Sequence, residues 1–182
     1  MPTNEKFISV DIEASGPTPG TGSMIAIGAC LVADPDVAFY REIQPLADRE
    51  WDPATERIHG LTRAVLATRA VAPADAMASL AAWLDQVADG GRPIFVGFNA
   101  PFDWMFVADY LHRYLGRNPF GISALDLKSV YMGREGIQRW EETGKRWVLE
   151  RYPTERRVTH NALDDAQAQA ELAQLLLGWR GP

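Results

Sequence analysis

The chain has 182 residues, 47 % of them apolar, a formal net charge of −6 and one cysteine. That size suits one α/β domain spanning residues 1–182 with a sizeable core, and the negative charge excludes a protein coated in basic surface for non-specific binding to duplex nucleic acid. The lone Cys30 cannot close an intramolecular disulfide, and its apolar surroundings mark a buried thiol, which excludes a stapled fold and a cysteine-ligated metal site.

The N-terminal stretch MPTNEKFISVDIE has no basic flank and no long apolar core. No window approaches the roughly 18 apolar residues of a membrane span. The expectation is a soluble, cytoplasmic protein without a membrane partner.

In chain order, Phe7 to Asp11 alternates apolar and small polar residues and predicts a strand, broken by the Gly/Pro-rich turn Gly16 to Gly22. Met24 to Val32 predicts a second, central strand, and Val37 to Ile43 a third. Short loops between three consecutive strands favour an antiparallel meander. Asp52-Pro53 caps a short predicted helix reaching Ile58, followed by a His59-Gly60 loop. Pro73 to Val87 has helical apolar spacing; Ile94 to Gly97 is a short buried strand and Phe102 to Leu115 a helix. Leu125 to Leu127 is a further strand edge, and Leu163 to Leu177 a helix. The sum is a mixed sheet covered by helices on both faces. Residues 133–158 lack clean periodicity and read as an excursion at the rim. Between Lys128 and Arg157 eight Lys or Arg face five Glu, so positive charge is concentrated there.

Three places hold carboxylates that a core does not explain. Asp11 and Glu13, at i and i+2 of a strand, share one face of the sheet. They suit either a solvated strand end or a metal site, since two like charges so close repel unless a cation lies between them. Asp103 falls in the first turn of a helix that Pro101 can start, where an Asp is also worth about 0.3–1 kcal/mol against the helix dipole. In HNALDDA, residues 160–166, helix phase separates the two aspartates: Asp165 shares a stripe with Ala168, Leu172, Leu176 and Trp179, whereas Asp164 stacks with Gln167 and Glu171. Asp165 thus points inward and needs a partner. His160 precedes the helix, either as a loop histidine bonded to backbone or as a general base, imidazole being the side chain suited to taking a proton from water at neutral pH. Four carboxylates and one histidine fit two hard divalent cations, Mg or Mn, of the kind that act in phosphodiester cleavage.

The order DIEASG (Asp11 to Gly16), GFNAPFD (Gly97 to Asp103) and HNALDDA (His160 to Ala166) resembles the three motifs of the DEDDh 3′-5′ exonuclease family, which includes ribonuclease T, oligoribonuclease and the proofreading epsilon subunit of bacterial replicative polymerase. The resemblance implies a ribonuclease H-like fold with a mixed five-stranded sheet, and metal-dependent hydrolysis from a single-stranded 3′ end. It makes Asp11, Glu13, Asp103 and Asp165 the metal carboxylates, His160 the general base and Asp164 a bystander. It also implies that the backbone of Ala14, Ser15 and Gly16 contacts the terminal nucleotide, that His59 and Gly60 lie beneath its sugar and base, and that Asn99 adjoins the substrate. Two departures stand out: Ala14-Ser15 where members often carry threonine, and Phe98 where many carry histidine.

In residues 133–158, Arg139, Lys145 and Arg146 are candidate backbone contacts, with Trp140, Trp147 or Tyr152 available for base stacking; the same aromatic side chains would equally pack on the core or on a second subunit. The expected function is a 3′-5′ exoribonuclease releasing nucleoside 5′-monophosphates. Its alternatives are a 3′-5′ exodeoxyribonuclease or proofreading factor, and a catalytically silent nucleic-acid adaptor. A homodimer is implied by some members of the family.

Overall fold

The structure, a computed structural model, describes residues 4–179; the three residues at either end of the expected 1–182 domain lie outside the described residues. Its strands are β1 (Glu5–Ala14), β2 (Met24–Leu31), β3 (Ala38–Glu42), β4 (Arg92–Gly97) and β5 (Ala124–Asp126). They form one five-stranded sheet in the order β3-β2-β1-β4-β5. β1, β2 and β3 pair antiparallel, which is the expected meander, whereas β4 joins β1 and β5 joins β4 in parallel. β2 is buried at every position but its last, as its unbroken apolar run requires of a central strand.

The helices are α1 (Pro53–His59), α2 (Arg63–Arg69), α3 (Pro73–Ala88), α4 (Ala100–Leu115), α5 (Leu127–Glu135), α6 (Lys145–Arg151) and α7 (Ala162–Leu177). Asp52 caps α1 by accepting from Ala54 N–H, and Gly60 ends it in a left-handed conformation at φ 71°. None of the helices among the described residues is long and apolar enough to cross a membrane.

The alternation of β1 divides the molecule. Ile8, Val10 and Ile12 are buried in one cluster with Met77, Leu80 and Leu84 of α3 and Phe106, Val107 and Tyr110 of α4. The intervening positions face the other layer, where Ser9 Oγ donates to the Ala166 carbonyl of α7 at 2.7 Å. The helices therefore cover both faces, and the odd-numbered residues of β1, including Asp11 and Glu13, look toward α7.

Three helices, α2, α5 and α6, differ from the sequence reading, and Leu127, expected on a strand edge with Leu125, starts α5 instead. α2 was not foreseen: it spans seven residues, buries Leu66 alone and so carries no amphipathic stripe. Residues 133–158 hold the end of α5, a 3₁₀ turn at Trp140–Thr143 and α6, a helix too short to display a period and buried chiefly through Val148.

Candidate active site

α7 can approach the sheet because of Gly28. This residue pairs with Asp11 in the β1–β2 ladder, and a Cβ added to it would lie 2.2 Å from the Ala162 carbonyl oxygen. The first turn of α7 thus rests on the bare backbone of β2, beside Asp11. Asn161 caps that turn, accepting from Leu163 and Asp164 N–H. Asp165, buried, follows on the inward side with Ala168, Leu172 and Leu176, as helix phase requires, while Asp164 is exposed.

Asp11, Glu13 and Asp165 each present a carboxylate oxygen such that all three lie within 4.8 Å of one another. Strand register slips between Glu13 and Ala14, an irregularity that turns the strand end at this point. Asp103 comes from the first turn of α4, on the opposite layer, and stands beside the trio: its Oδ1 accepts from Ile12 N–H at 3.1 Å. It is buried, with 5 % exposure.

The electrostatics are those of crowded carboxylates. Burial, then the neighbouring Asp103 and Asp165, hold Asp11 well above the usual carboxylate range. Glu13 is pushed up to about 8 by burial and by Asp11 and Asp165. Asp103 is pushed up to about 7 by burial, against the opposing effect of the Ile12 amide. Lys145, at the start of α6, lowers all three, so its ammonium stands near the cluster; its Nζ lies 5.7 Å from the centre of the Phe98 ring. Hard acceptor oxygens on several sides, ionised only at an electrostatic cost, are a donor set that suits divalent oxygen-seeking cations.

His160 is exposed in the loop immediately before α7, with a left-handed φ of 61°. His59 is near enough for His160 to act on it: burial, aided by His160 and opposed by Glu56, holds His59 below its ordinary range. His59 Nδ1 accepts from Leu61 N–H at 3.0 Å, which puts the proton of the neutral ring on Nε2, a buried atom without a partner. Gly60 is exposed beside it. Asn99, exposed at φ 65°, makes no side-chain cap bond to α4 and stays free.

The Ala14–Gly16 segment is buried and largely occupied within the protein. Ser15 N–H donates to the Ser23 carbonyl, its hydroxyl donates to the Glu50 carbonyl, and its carbonyl accepts from Asp52 N–H. Arg139 is held in ion pairs with Glu141 and Glu142, and the Arg146 guanidinium lies 6.0 Å from the ring centre of Trp147. Trp140 and Trp147 are half exposed, whereas Tyr152 packs edge-on to Tyr131 and donates to Glu135.

Sequence reasoning missed Gln169. It is 4 % exposed and knits the strand ends: its amide donates to Ser9 Oγ, Val10 O and Val96 O and accepts from Phe98 N–H at 2.5 Å. It lies one helical turn after Asp165, and an amide on an otherwise apolar stripe was the signal that could have found it.

A mixed sheet of this order, with clustered carboxylates from its first strand and its last helix, defines a phosphodiester hydrolase of the ribonuclease H-like fold. The exonuclease family model, RNase T, matches residues 8–173. The chain belongs to this family, the DEDDh-type 3′-5′ exonucleases, and is an enzyme; the adaptor reading is set aside. It is similar to the 3′-5′ DNA exonuclease Cap18 of Escherichia coli, with 41 % identity over 173 residues, 94 % of this chain and 91 % of that protein. Among solved structures it resembles the nuclease domain of 3′hExo, a DEDDh family member bound to rAMP, with TM-score 0.77 and 15 % identity over 95 % of this chain and 92 % of that one. It also resembles E. coli exonuclease I in complex with a dT13 oligonucleotide, with TM-score 0.74 and 16 % identity over 94 % of this chain and 40 % of that one.

Proposed function

We propose that the chain removes nucleoside 5′-monophosphates from the 3′ ends of single-stranded DNA, using two divalent cations, Mg or Mn. The observation that carries this reading is the convergence of the Asp11, Glu13 and Asp165 carboxylates within 4.8 Å. The sequence alone favours RNA first and DNA second; the order is reversed because the 41 %-identical E. coli relative is named as a DNA exonuclease.

Asp11, Glu13 and Asp165 would hold the cations, with Asp103 beside them. When bound, the cations supply the positive charge that favours attack on the phosphate and departure of the 3′ oxygen. His160 accepts a proton from the attacking water. The water oxygen bonds to phosphorus, the P–O3′ bond breaks, and the 3′ oxygen leaves with the shortened strand and takes up a proton. His59 and Asn99 would meet the terminal nucleotide. Lys145, Arg146 and Arg139 would meet the upstream backbone. A homodimer and a cytoplasmic location belong to the same reading; a monomeric mass at assay concentration rejects the first.

The test is a time-resolved digest of 5′-labelled DNA and RNA strands of matched sequence, with Mg, Mn or a chelator. DNA shortening from the 3′ end, faster than RNA and abolished by chelator, is expected. Faster RNA hydrolysis overturns the choice of DNA, and no shortening of either polymer overturns the whole reading.

A further inference from the structure

We propose that Arg156 is a positioning residue for His160, through a clamp that ties the loop before α7 to two distant parts of the fold. The inference rests on the reading of His160 as the general base.

Each nitrogen of the Arg156 guanidinium is engaged. Nε donates to Glu171 Oε1 at 3.1 Å, one terminal nitrogen to Gln167 Oε1 at 3.1 Å, and the other to Asp36 Oδ1 at 2.7 Å. Glu171 and Gln167 belong to α7, and Asp36 to the turn between β2 and β3. The partners are themselves fixed: Glu171 Oε2 accepts from the backbone N–H of Glu155 and of Arg156, and Gln167 Nε2 donates to the Pro35 carbonyl at 2.8 Å. A planar fork that meets three acceptors at once sets orientation as well as distance, which lysine cannot do.

The other end of the loop is fastened three residues later. Thr159 N–H donates to Asp165 Oδ1 and its hydroxyl to Asp164 Oδ2, each at 2.7 Å. His160 follows directly, in a left-handed backbone conformation that is uncommon for a residue with a side chain. Arg156 and Thr159 fix the chain that leads into it. Asp164, on the outer face of the helix, is thereby part of the support for His160. The Arg156 network joins a cation, two carboxylates and an amide, none of them among the Asp11, Glu13 and Asp165 carboxylates. A part-buried network of this kind also contributes stability, so the test carries a readout that stability alone would not move.

The test is a double-mutant cycle on the full chain, read by steady-state kcat and KM with substrate in excess and the enzyme concentration raised for the slow variants. Arg156→Met lowers kcat by about 10- to 100-fold, the scale of a misplacement of about 1 Å, while KM and Mn binding stay within about threefold of wild type. Arg156→Lys restores only a small part. In a His160→Ala background, Arg156→Met changes kcat by less than about twofold, because there is no base left to misplace. Asp36→Asn weakens one arm by removing the charge of an exposed carboxylate and repeats the pattern at about two- to fivefold; it carries the same test should Arg156→Met melt below the assay temperature. A loss equally large with and without His160 overturns the inference, as does wild-type kcat in both Arg156→Met and Asp36→Asn. Full activity of His160→Ala alone overturns instead the reading of His160 as base.

Discussion

Gly28→Ala tests how the site is assembled without touching a carboxylate. A Cβ at this position would stand 2.2 Å from the Ala162 carbonyl oxygen, 2.3 Å from its carbon and 2.4 Å from Leu163 N, whereas ordinary contact begins at 3.4 Å. All three are backbone atoms in the first turn of α7, so no flexible side chain can swing aside. The helix start must retreat from β2 by about 1 Å, and Asp165, in the same turn, retreats from Asp11 with it. Overpacking of this kind costs about 1–3 kcal/mol, which for a chain of this length lowers Tm by about 2–12 °C. Turnover falls further than stability suggests, by about 10- to 100-fold, because the carboxylates that must share cations no longer converge. Differential scanning fluorimetry and 3′-end digestion of a labelled DNA strand, both below the variant's Tm, measure the two effects. A Gly28→Ala protein with wild-type Tm and wild-type turnover would refute the claim that contact between α7 and the β2 backbone sets the geometry of the cluster.

Asp165→Asn abolishes detectable digestion, while Asp164→Ala loses at most about tenfold, the value of one hydrogen bond to Thr159; equal activity of the two variants rejects the assignment by helix phase. The raised carboxylates give the metal-free protein a pH dependence of definite sign: Glu13 and Asp103 hold protons more tightly folded than unfolded, so stability from these groups is present at acid pH and lost as pH rises from about 4 to about 8. Calorimetric melting in chelator should register that loss, added Mn should release protons near pH 7, and a metal-free Tm that rises across this window through these groups contradicts the burial argument. Lys145→Gln should bind Mn more tightly at pH 9 by about 3- to 10-fold, since the ammonium that competes for the same carboxylates has gone; weaker binding in a titration at that pH denies the competition. Joint replacement of Arg139, Lys145 and Arg146 by Gln flattens the salt dependence of single-strand binding by about 2 in log–log slope, and an unchanged slope removes these residues from the interface.

Elements with a period were legible in the sequence. Ile8, Val10 and Ile12 alternate with Ser9 and Asp11, and that alternation predicts which face carries the carboxylates; Asp165 follows from its stripe with Ala168 and Leu172. The meander followed from three apolar runs separated by short loops. Of the short helices, α1 was legible from Asp52 and Pro53 at its start, whereas α2, α5 and α6 were not: the seven residues of α2 or α6 make barely two turns and bury one side chain each. Nor was the clamp, whose members are separated by 11 to 132 positions and obey no period. Polar contacts at such separations are selected by the finished fold, so composition and spacing carry no trace of Arg156 meeting Asp36.

Asp103 marks where local reasoning about the site ends. Its place in the first turn of a helix fits both the dipole and the cluster, and the structure joins the two: α4 lies on the Ile8–Ile12 face of β1, the trio on the other, and the Ile12 amide is the point where a carboxylate can reach the strand from behind. The sheet therefore separates Asp103 from the trio by chain connectivity while keeping it within electrostatic range. Lys145 of α6 acts on Asp11, Glu13 and Asp103 alike, and the Ile12 amide bears on Asp103 in addition. Neither is enough to bring Glu13 back to its ordinary range, and the uncompensated remainder is what a divalent cation would neutralise.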